Sequence, residues 1–272
     1  MSTGTPDRND ALLDDLGRRY SGGMSGNVRF WRAKYFRMMR FTFGRILKRS
    51  IDIAVSATML LCLAPLFAVV ALLIKLTDRG PILFRQKRVG RWGREFSFPK
   101  FRSMVTNAEE IKKRMEELSK LPREELDRLI ENAADLDPKT RRILKAMKSD
   151  HADSVTFKMK RDPRVTWIGR WIRKLSIDEL PQLWCVLRGD MSLVGPRPPV
   201  PSEVSKYTLE QRRRLDVVPG LTCIWQVSGR GQIPFAQQAR MDVDYIEQRG
   251  LWLDFKLLLR TIPAVLTGRG AF

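Results

Sequence analysis

An uninterrupted apolar stretch with positive charge at both ends limits this 272-residue chain more than any other feature. Between Ile53 and Ile74 there is no ionised residue, and the hydroxyls are those of Ser56 and Thr58. A helix of about 20 apolar residues crosses a bilayer. Arg37, Arg40, Arg45, Lys48 and Arg49 precede the stretch; Lys75, Arg79, Arg85, Lys87, Arg88, Arg91 and Arg94 follow it. Cationic flanks stay on the cytoplasmic side, so a spanning helix wants only one of them. Pro65, near the middle, removes a backbone hydrogen bond and crowds the preceding turn. The pattern predicts a re-entrant membrane helix over 50–76 that breaks at Pro65 and returns to the face it entered. The expected place of work is the cytoplasmic face of a membrane.

Charge narrows the partners. Lys and Arg number 50 against 30 Asp and Glu, a formal net charge of +20. Such a surface attracts nucleic acid, anionic lipid headgroups or phosphorylated substrates, and the membrane segment favours the last two. The apolar run begins too late for a cleaved secretion signal. Cys62, Cys185 and Cys223 have no metal or redox spacing and read as buried thiols of a reducing compartment. The single histidine, His151, lies among charged residues, which argues against histidine catalysis and histidine metal clusters.

Along the chain, residues 1–26 are polar and glycine-rich and are expected to be a disordered extension. Over 27–49 aromatic and basic residues interleave, as in an interfacial amphipathic helix; a basic nucleic-acid arm is the alternative. The remainder, 77–272, is expected to be a cytosolic catalytic domain. Pro81–Gln86 and Glu95–Phe98, with Gly90 and Gly93 between them, predict a β-hairpin. The stretch 107–149 carries Glu, Lys and Arg with leucines at helical spacing, and reads as an inserted module of exposed helices punctuated by Pro122 and Pro138. Two helical segments are expected around Ser176–Pro181. Asp242–Thr267 is expected to be helical, lying on a membrane surface or in the core. The fold class is α+β, predominantly helical.

Asp178 and Glu179 are adjacent. Ser176 and Glu179 have capping-box spacing, so a helix cap explains the acids without chemistry. The alternative is a carboxylate near a helix start that holds Mg²⁺ or attacks phosphorus. Lys100 after Pro99, Arg173 five residues before Asp178, Arg197 between Pro196 and Pro198, and Arg230 between two glycines are candidate phosphate ligands. Each alone also reads as a surface charge or a stiff turn.

The order of these motifs resembles the bacterial sugar transferase family, the monotopic polyprenyl-phosphate phosphoglycosyl transferases. The resemblance rests on the basic and apolar N-terminal segments, Phe84-Arg-Gln-Lys-Arg-Val-Gly90, Lys100-Phe-Arg-Ser-Met104, Leu175-Ser-Ile-Asp-Glu-Leu180, Arg188-Gly-Asp-Met-Ser-Leu-Val-Gly-Pro-Arg-Pro198, Pro219-Gly220, Gln226-Val-Ser-Gly-Arg230 and Asp242-Val-Asp-Tyr245. It implies transfer of a sugar 1-phosphate from a nucleoside diphosphate sugar, expected to be a UDP-sugar, to a polyprenyl phosphate at the inner membrane, initiating a surface glycan. It implies Asp178 as nucleophile and Mg²⁺ ligand with Glu179 as its partner. Lys100, Arg173, Arg197 and Arg230 match the family's phosphate-binding residues, and Asp254 a supporting acidic position. A homodimer is compatible with it, and nucleic acid is not an expected partner. One departure is Ala64-Pro65, where the family's helix break is often Ser-Pro. The competing expectations are a non-catalytic membrane adaptor that binds anionic lipid, and a membrane-tethered nucleic-acid binder.

Overall fold

The computed structural model describes residues 24–122, 125, 128–129, 140–141, 143–144, 162–229 and 232–267. The chain divides into two compact units, Met1–Ile51 and Asp52–Phe272. In the first, residues 24–51 are helical, so the expected interfacial segment is a helix throughout. Of the extension expected to be disordered, residues 24–26 are already helical and the rest lies outside the described residues.

That helix is α1 (Met24–Thr77), and it carries Pro65 in its interior without interruption. Its part Phe43–Thr77 is long and apolar enough to cross a membrane. The break expected at Pro65 is therefore not seen as an interruption of the helix. Within the larger unit, the inward positions of α1 are Asp52, Ser56, Leu60, Leu63, Phe67, Val70 and Ile74. Steps of three and four give one helical stripe, and it continues on both sides of Pro65. The opposite face is apolar yet exposed, with Leu61, Val69, Leu72 and Leu76 among its residues. The part of α1 within the larger unit is tied down near both of its ends by carboxylates. Asp52 Oδ1 accepts the Leu193 N–H at 3.2 Å. Asp78, one residue past the helix, accepts the Thr106 N–H through Oδ2 at 2.9 Å and pairs with Arg102.

Strands β1 (Leu83–Val89) and β2 (Glu95–Phe101) form the expected hairpin, pairing Gln86 with Phe98 and Arg88 with Phe96. A 3-10 turn, Arg91–Gly93, joins them, with positive φ at Trp92 and Gly93. Side chains alternate across the pleat. Arg88, Phe98 and Lys100 therefore share one face. Arg85, Ser97, Pro99 and Phe101 share the other, which lines a groove of about 690 Å³ against Leu60, Phe67 and Ala71 of α1.

Helix α2 (Ala108–Ser119) opens the insertion. Its Met115 and Leu118 are buried with Ile143 and Leu144, a separate small core. The remaining expected helices of 107–149 lie largely outside the described residues. After the insertion come α3 (Trp167–Lys174), a 3-10 helix over Ile177–Gln182, and α4 (Leu183–Arg188). The Thr166 hydroxyl caps α3 by accepting the Gly169 N–H at 2.9 Å. Strand β3 (Ser192–Val194) follows, then the single-turn helices α5 (Pro201–Val204) and α6 (Leu209–Arg212), and β4 (Gly220–Thr222).

The parallel pairing of β3 with β4 was not legible. Three-residue strands carry no alternation signal, and this pair closes only in the tertiary fold. A Cβ on Gly220 would lie 2.0 Å from the Gly195 nitrogen. Backbone contact at that point leaves no room for any side chain. Helices α7 (Ile224–Ser228), α8 (Phe235–Gln248) and α9 (Leu251–Thr267) complete the chain. The helix expected from Asp242 is thus two, parted at Arg249-Gly250.

The main core gathers Phe98, Leu183, Val186, Met191, Leu193, Val194, Tyr245 and Leu257. Each such side chain contributes about 1.5–3 kcal/mol of burial energy. In α9, Asp254 and Leu257 face inward while Trp252, Phe255, Leu259 and Ile262 are exposed. The helix is therefore core on one face and apolar to solvent on the other.

Candidate functional site

The acids sit on the 3-10 helix, and the cap reading fails there. Ser176 adopts the left-handed conformation (φ 54°) and its side chain caps nothing. The Glu179 carboxylate turns instead to two cations. Its Oε1 lies 3.2 Å from an Arg197 guanidinium nitrogen and 3.5 Å from Lys100 Nζ. Lys100 comes from β2. Arg197 comes from the loop after β3, where its flanking Pro196 and Pro198 are almost wholly buried. Three segments distant in sequence thus meet at one carboxylate.

Electrostatics separate the two acids. Burial pushes Glu179 up, but Arg197 and Lys100 outweigh it and hold the carboxyl at about 2. Asp178 moves the other way, to about 6, because burial and the Glu179 charge disfavour its ionised form more than Lys100 and Arg173 favour it. Among the described residues Asp178 forms no ion pair. Two adjacent carboxylates with opposite shifts are a common mark of divided roles.

Arg173, in the last turn of α3, acts on Asp178 and on Asp162 through charge. Asp162 is already engaged by Arg164, at 2.6 Å from its terminal nitrogen. Asp254 lies outside this cluster. It accepts a hydrogen bond from the Tyr245 hydroxyl at 2.8 Å, and that hydroxyl is 3.1 Å from the Val194 carbonyl. Tyr245 has one proton, and the carboxylate is the stronger acceptor. Asp254 therefore orients Tyr245 against the strand that leads to Arg197. Arg230 lies outside the described residues.

Sequence reasoning missed two groups. Asp52 reaches Leu193 across 141 positions, and only its place beside the apolar run marked it. Arg88 donates to the Pro198 carbonyl at 3.0 Å; it lay in a quoted motif but was given no role. Next to it, the Val89 N–H donates to the Pro199 carbonyl at 2.9 Å. The end of β1 thus fixes the loop that carries Arg197.

The opposite shifts make a prediction about stability. Asp178 binds its proton more tightly folded than unfolded, so it favours the fold at low pH and ceases to do so as pH rises through about 6. Glu179 does the reverse: its contribution is present above its usual 4.5 and is lost as pH falls towards about 2. In chelator-treated protein, wild type should lose stability relative to Asp178→Asn between pH 4 and 6. The loss should be on the order of 2 kcal/mol after solvent screening. Denaturant melts of both proteins across that range measure it, and a pH-independent difference would refute the assignment.

Among the described residues no three His, Cys, Asp or Glu side chains converge into a metal cage. Glu179 is occupied by its cations, which leaves the Asp178 carboxylate. A hard divalent ion that takes one carboxylate, with phosphate oxygens and water filling the rest, fits such a site; Mg²⁺ is commonly held this way.

The site is thus an acid pair with Lys100, Arg173 and Arg197 acting on it. The bacterial sugar transferase family model matches residues 43–268. The chain is 45% identical to the galactosyl transferase CpsE of Streptococcus agalactiae over 195 residues, covering 71% of this chain and 36% of that protein. It is 38% identical to the undecaprenyl-phosphate galactose phosphotransferase of Salmonella typhimurium over 229 residues, covering 84% and 42%. With the exopolysaccharide production protein ExoY of Rhizobium meliloti it shares 35% identity over 229 residues, covering 84% and 89%. This chain belongs to the bacterial sugar transferase family. It spans less than half the length of the first two relatives and most of the length of ExoY.

Proposed function

We propose that this chain transfers a sugar 1-phosphate from a nucleoside diphosphate sugar, with UDP as the expected nucleotide, to a polyprenyl phosphate. The observation that carries the reading is the contrast within the acid pair. Glu179 is committed to Lys100 and Arg197, while Asp178 is left to react. In the first step an Asp178 carboxylate oxygen attacks the phosphorus that bears the sugar. The bond to the bridging oxygen breaks, and a nucleoside monophosphate leaves with that oxygen. In the second step a phosphate oxygen of the polyprenyl phosphate attacks the same phosphorus. The acyl phosphate bond breaks, Asp178 is regenerated, and a polyprenyl diphosphate sugar forms.

Both approaches bring anions together, so the cations must neutralise charge before the atoms meet. Arg197 and Lys100 are positioned for this by Glu179, and Arg173 from α3 adds its charge. Mg²⁺ held by Asp178 would offset charge on the diphosphate oxygens.

The membrane arrangement follows the same logic. We read α1 as entering one leaflet and leaving both of its ends at the cytoplasmic face. The charges on either side of the apolar run support this, as do the ties of Asp52 and Asp78 to one folded body at the two ends of the segment. Ends held by one polar domain are expected on the same side of a bilayer. Single cysteines at Ser50 and Thr77 should resist a membrane-impermeant thiol reagent in intact cells, in a background lacking the native cysteines. Labelling of either site from outside would reject the arrangement.

The reaction is tested by screening nucleoside diphosphate sugars for nucleoside monophosphate release with polyprenyl phosphate and Mg²⁺. Release without acceptor, up to about one equivalent per site, is expected of a covalent intermediate. No release from any donor tried would favour a non-catalytic adaptor.

A further inference from the structure

We propose that Arg88 is the third cation of an anion seat, and takes a phosphate group together with Lys100 and Arg197. The assignment rests on reading the site as a phosphoryl-transfer centre. Arg88 and Lys100 project from the same face of the hairpin. Both sit over one ring, with the Arg88 guanidinium 5.3 Å and Lys100 Nζ 5.4 Å from the Phe98 centroid. Arg88 donates to the Pro198 carbonyl at 3.0 Å and to Gln86 Oε1 at 2.9 Å. All of these partners are neutral. Its Nε is buried and has no hydrogen-bond partner among the described residues. Glu179, the carboxylate that bridges Lys100 and Arg197, makes no bond to Arg88. Of the three cations, one acid bridges two and leaves Arg88 outside the bridge.

A clamp on Pro198 needs a hydrogen-bond donor but not a charge. The charge comes at a cost. Burial and the repulsion of Arg197 lower the Arg88 pKa to about 10. Glu203 and Glu179 offset this charge in part, but neither forms an ion pair with Arg88; a half-buried charge without a direct ion pair is unfavourable, and it is useful where a negative charge arrives during the reaction. An incoming phosphate would supply that charge and an acceptor for Nε. The phosphate comes either from the diphosphate of the sugar nucleotide or from the polyprenyl phosphate headgroup.

Titration calorimetry of the full-length protein in detergent with inorganic pyrophosphate tests the seat without turnover. Arg88→Gln keeps a polar N–H donor on a shorter stem and removes the charge, so its affinity should fall about tenfold or more. Arg88→Lys keeps the charge and should lose distinctly less. Arg88→Met, which preserves a long stem over Phe98, replaces the glutamine variant if that does not fold. Equal affinities in wild type and the neutral variant, or equal losses in the lysine and neutral variants, would overturn the proposal.

Steady-state kinetics then identify the source. A raised KM for the sugar nucleotide assigns the seat to the donor, a raised KM for polyprenyl phosphate to the acceptor, and a rise in both to each in turn. No rise in either would also overturn it. A wild-type protein that binds pyrophosphate but releases no nucleotide from any donor would refute the proposed reaction and leave the seat standing.

Discussion

Asp178→Asn should abolish nucleoside monophosphate release, with a fall of about a thousandfold or more in turnover, while the protein remains folded. The substitution keeps the size of the side chain and removes the nucleophile and the charge available to a metal. The acceptor-free burst should vanish with it. Glu179→Gln, by contrast, keeps the nucleophile and loosens the grip on Lys100 and Arg197, so turnover should drop with some trapping retained. A helix-capping role predicts something different, because Asn caps about as well as Asp. The structure already weighs against that role: Ser176 is left-handed and caps nothing, and Glu179 spends its carboxylate on cations. Near-normal turnover by a folded Asp178→Asn protein would sink the assignment. Lost turnover, with no acceptor-free burst in wild type, would leave Asp178 as a metal or substrate ligand and reject the covalent step.

The second large effect concerns stability. Arg214 and Asp242 form an ion pair at 2.6 Å with side-chain exposures of 4% and 0%. The Tyr207 hydroxyl accepts from Arg214 at 2.9 Å, and Trp225 Nε1 donates to Asp242 Oδ2 at 3.4 Å. The pair joins the segment after α6 to α8, and through Trp225 it holds α7. Asp242→Ala leaves a buried guanidinium without its partner and should cost about 3–5 kcal/mol. Replacing both residues, with Arg214→Met and Asp242→Leu, should restore much of that loss, since two apolar groups need no pairing. Denaturant unfolding of the single and double variants measures the cycle. A loss below about 1 kcal/mol in Asp242→Ala would show that water reaches the pair.

The site residues read most surely from the sequence were those whose chemistry is local. Asp178 and Glu179 stand side by side, and Arg197 stands between prolines; both patterns are visible without a fold. Lys100 and Arg197, picked out as candidate phosphate ligands, meet at Glu179 in the structure, a convergence that spacing did not reveal, and Arg173 acts on Asp178 by charge. Asp254 accepts the Tyr245 hydroxyl instead of joining the acid pair. The residues that escaped notice have distant partners. Arg88 finds Pro198 110 positions away and Asp52 finds Leu193 141 positions away. No local pattern encodes such a contact.

The sequence alone determined the apolar helix, the hairpin, the basic surface and the order of motifs. Each depends on properties of neighbouring residues: hydropathy, turn-forming glycines and formal charge. Tertiary structure decided which acid is held by cations and which forms no ion pair among the described residues, because that depends on the cations brought to Glu179 from β2 and the loop after β3. It decided the parallel β3–β4 pair, where two glycine backbones touch. It also decided that α1 keeps one face on the domain past Pro65, since proline weakens a helix while packing on both sides determines whether the helix ends.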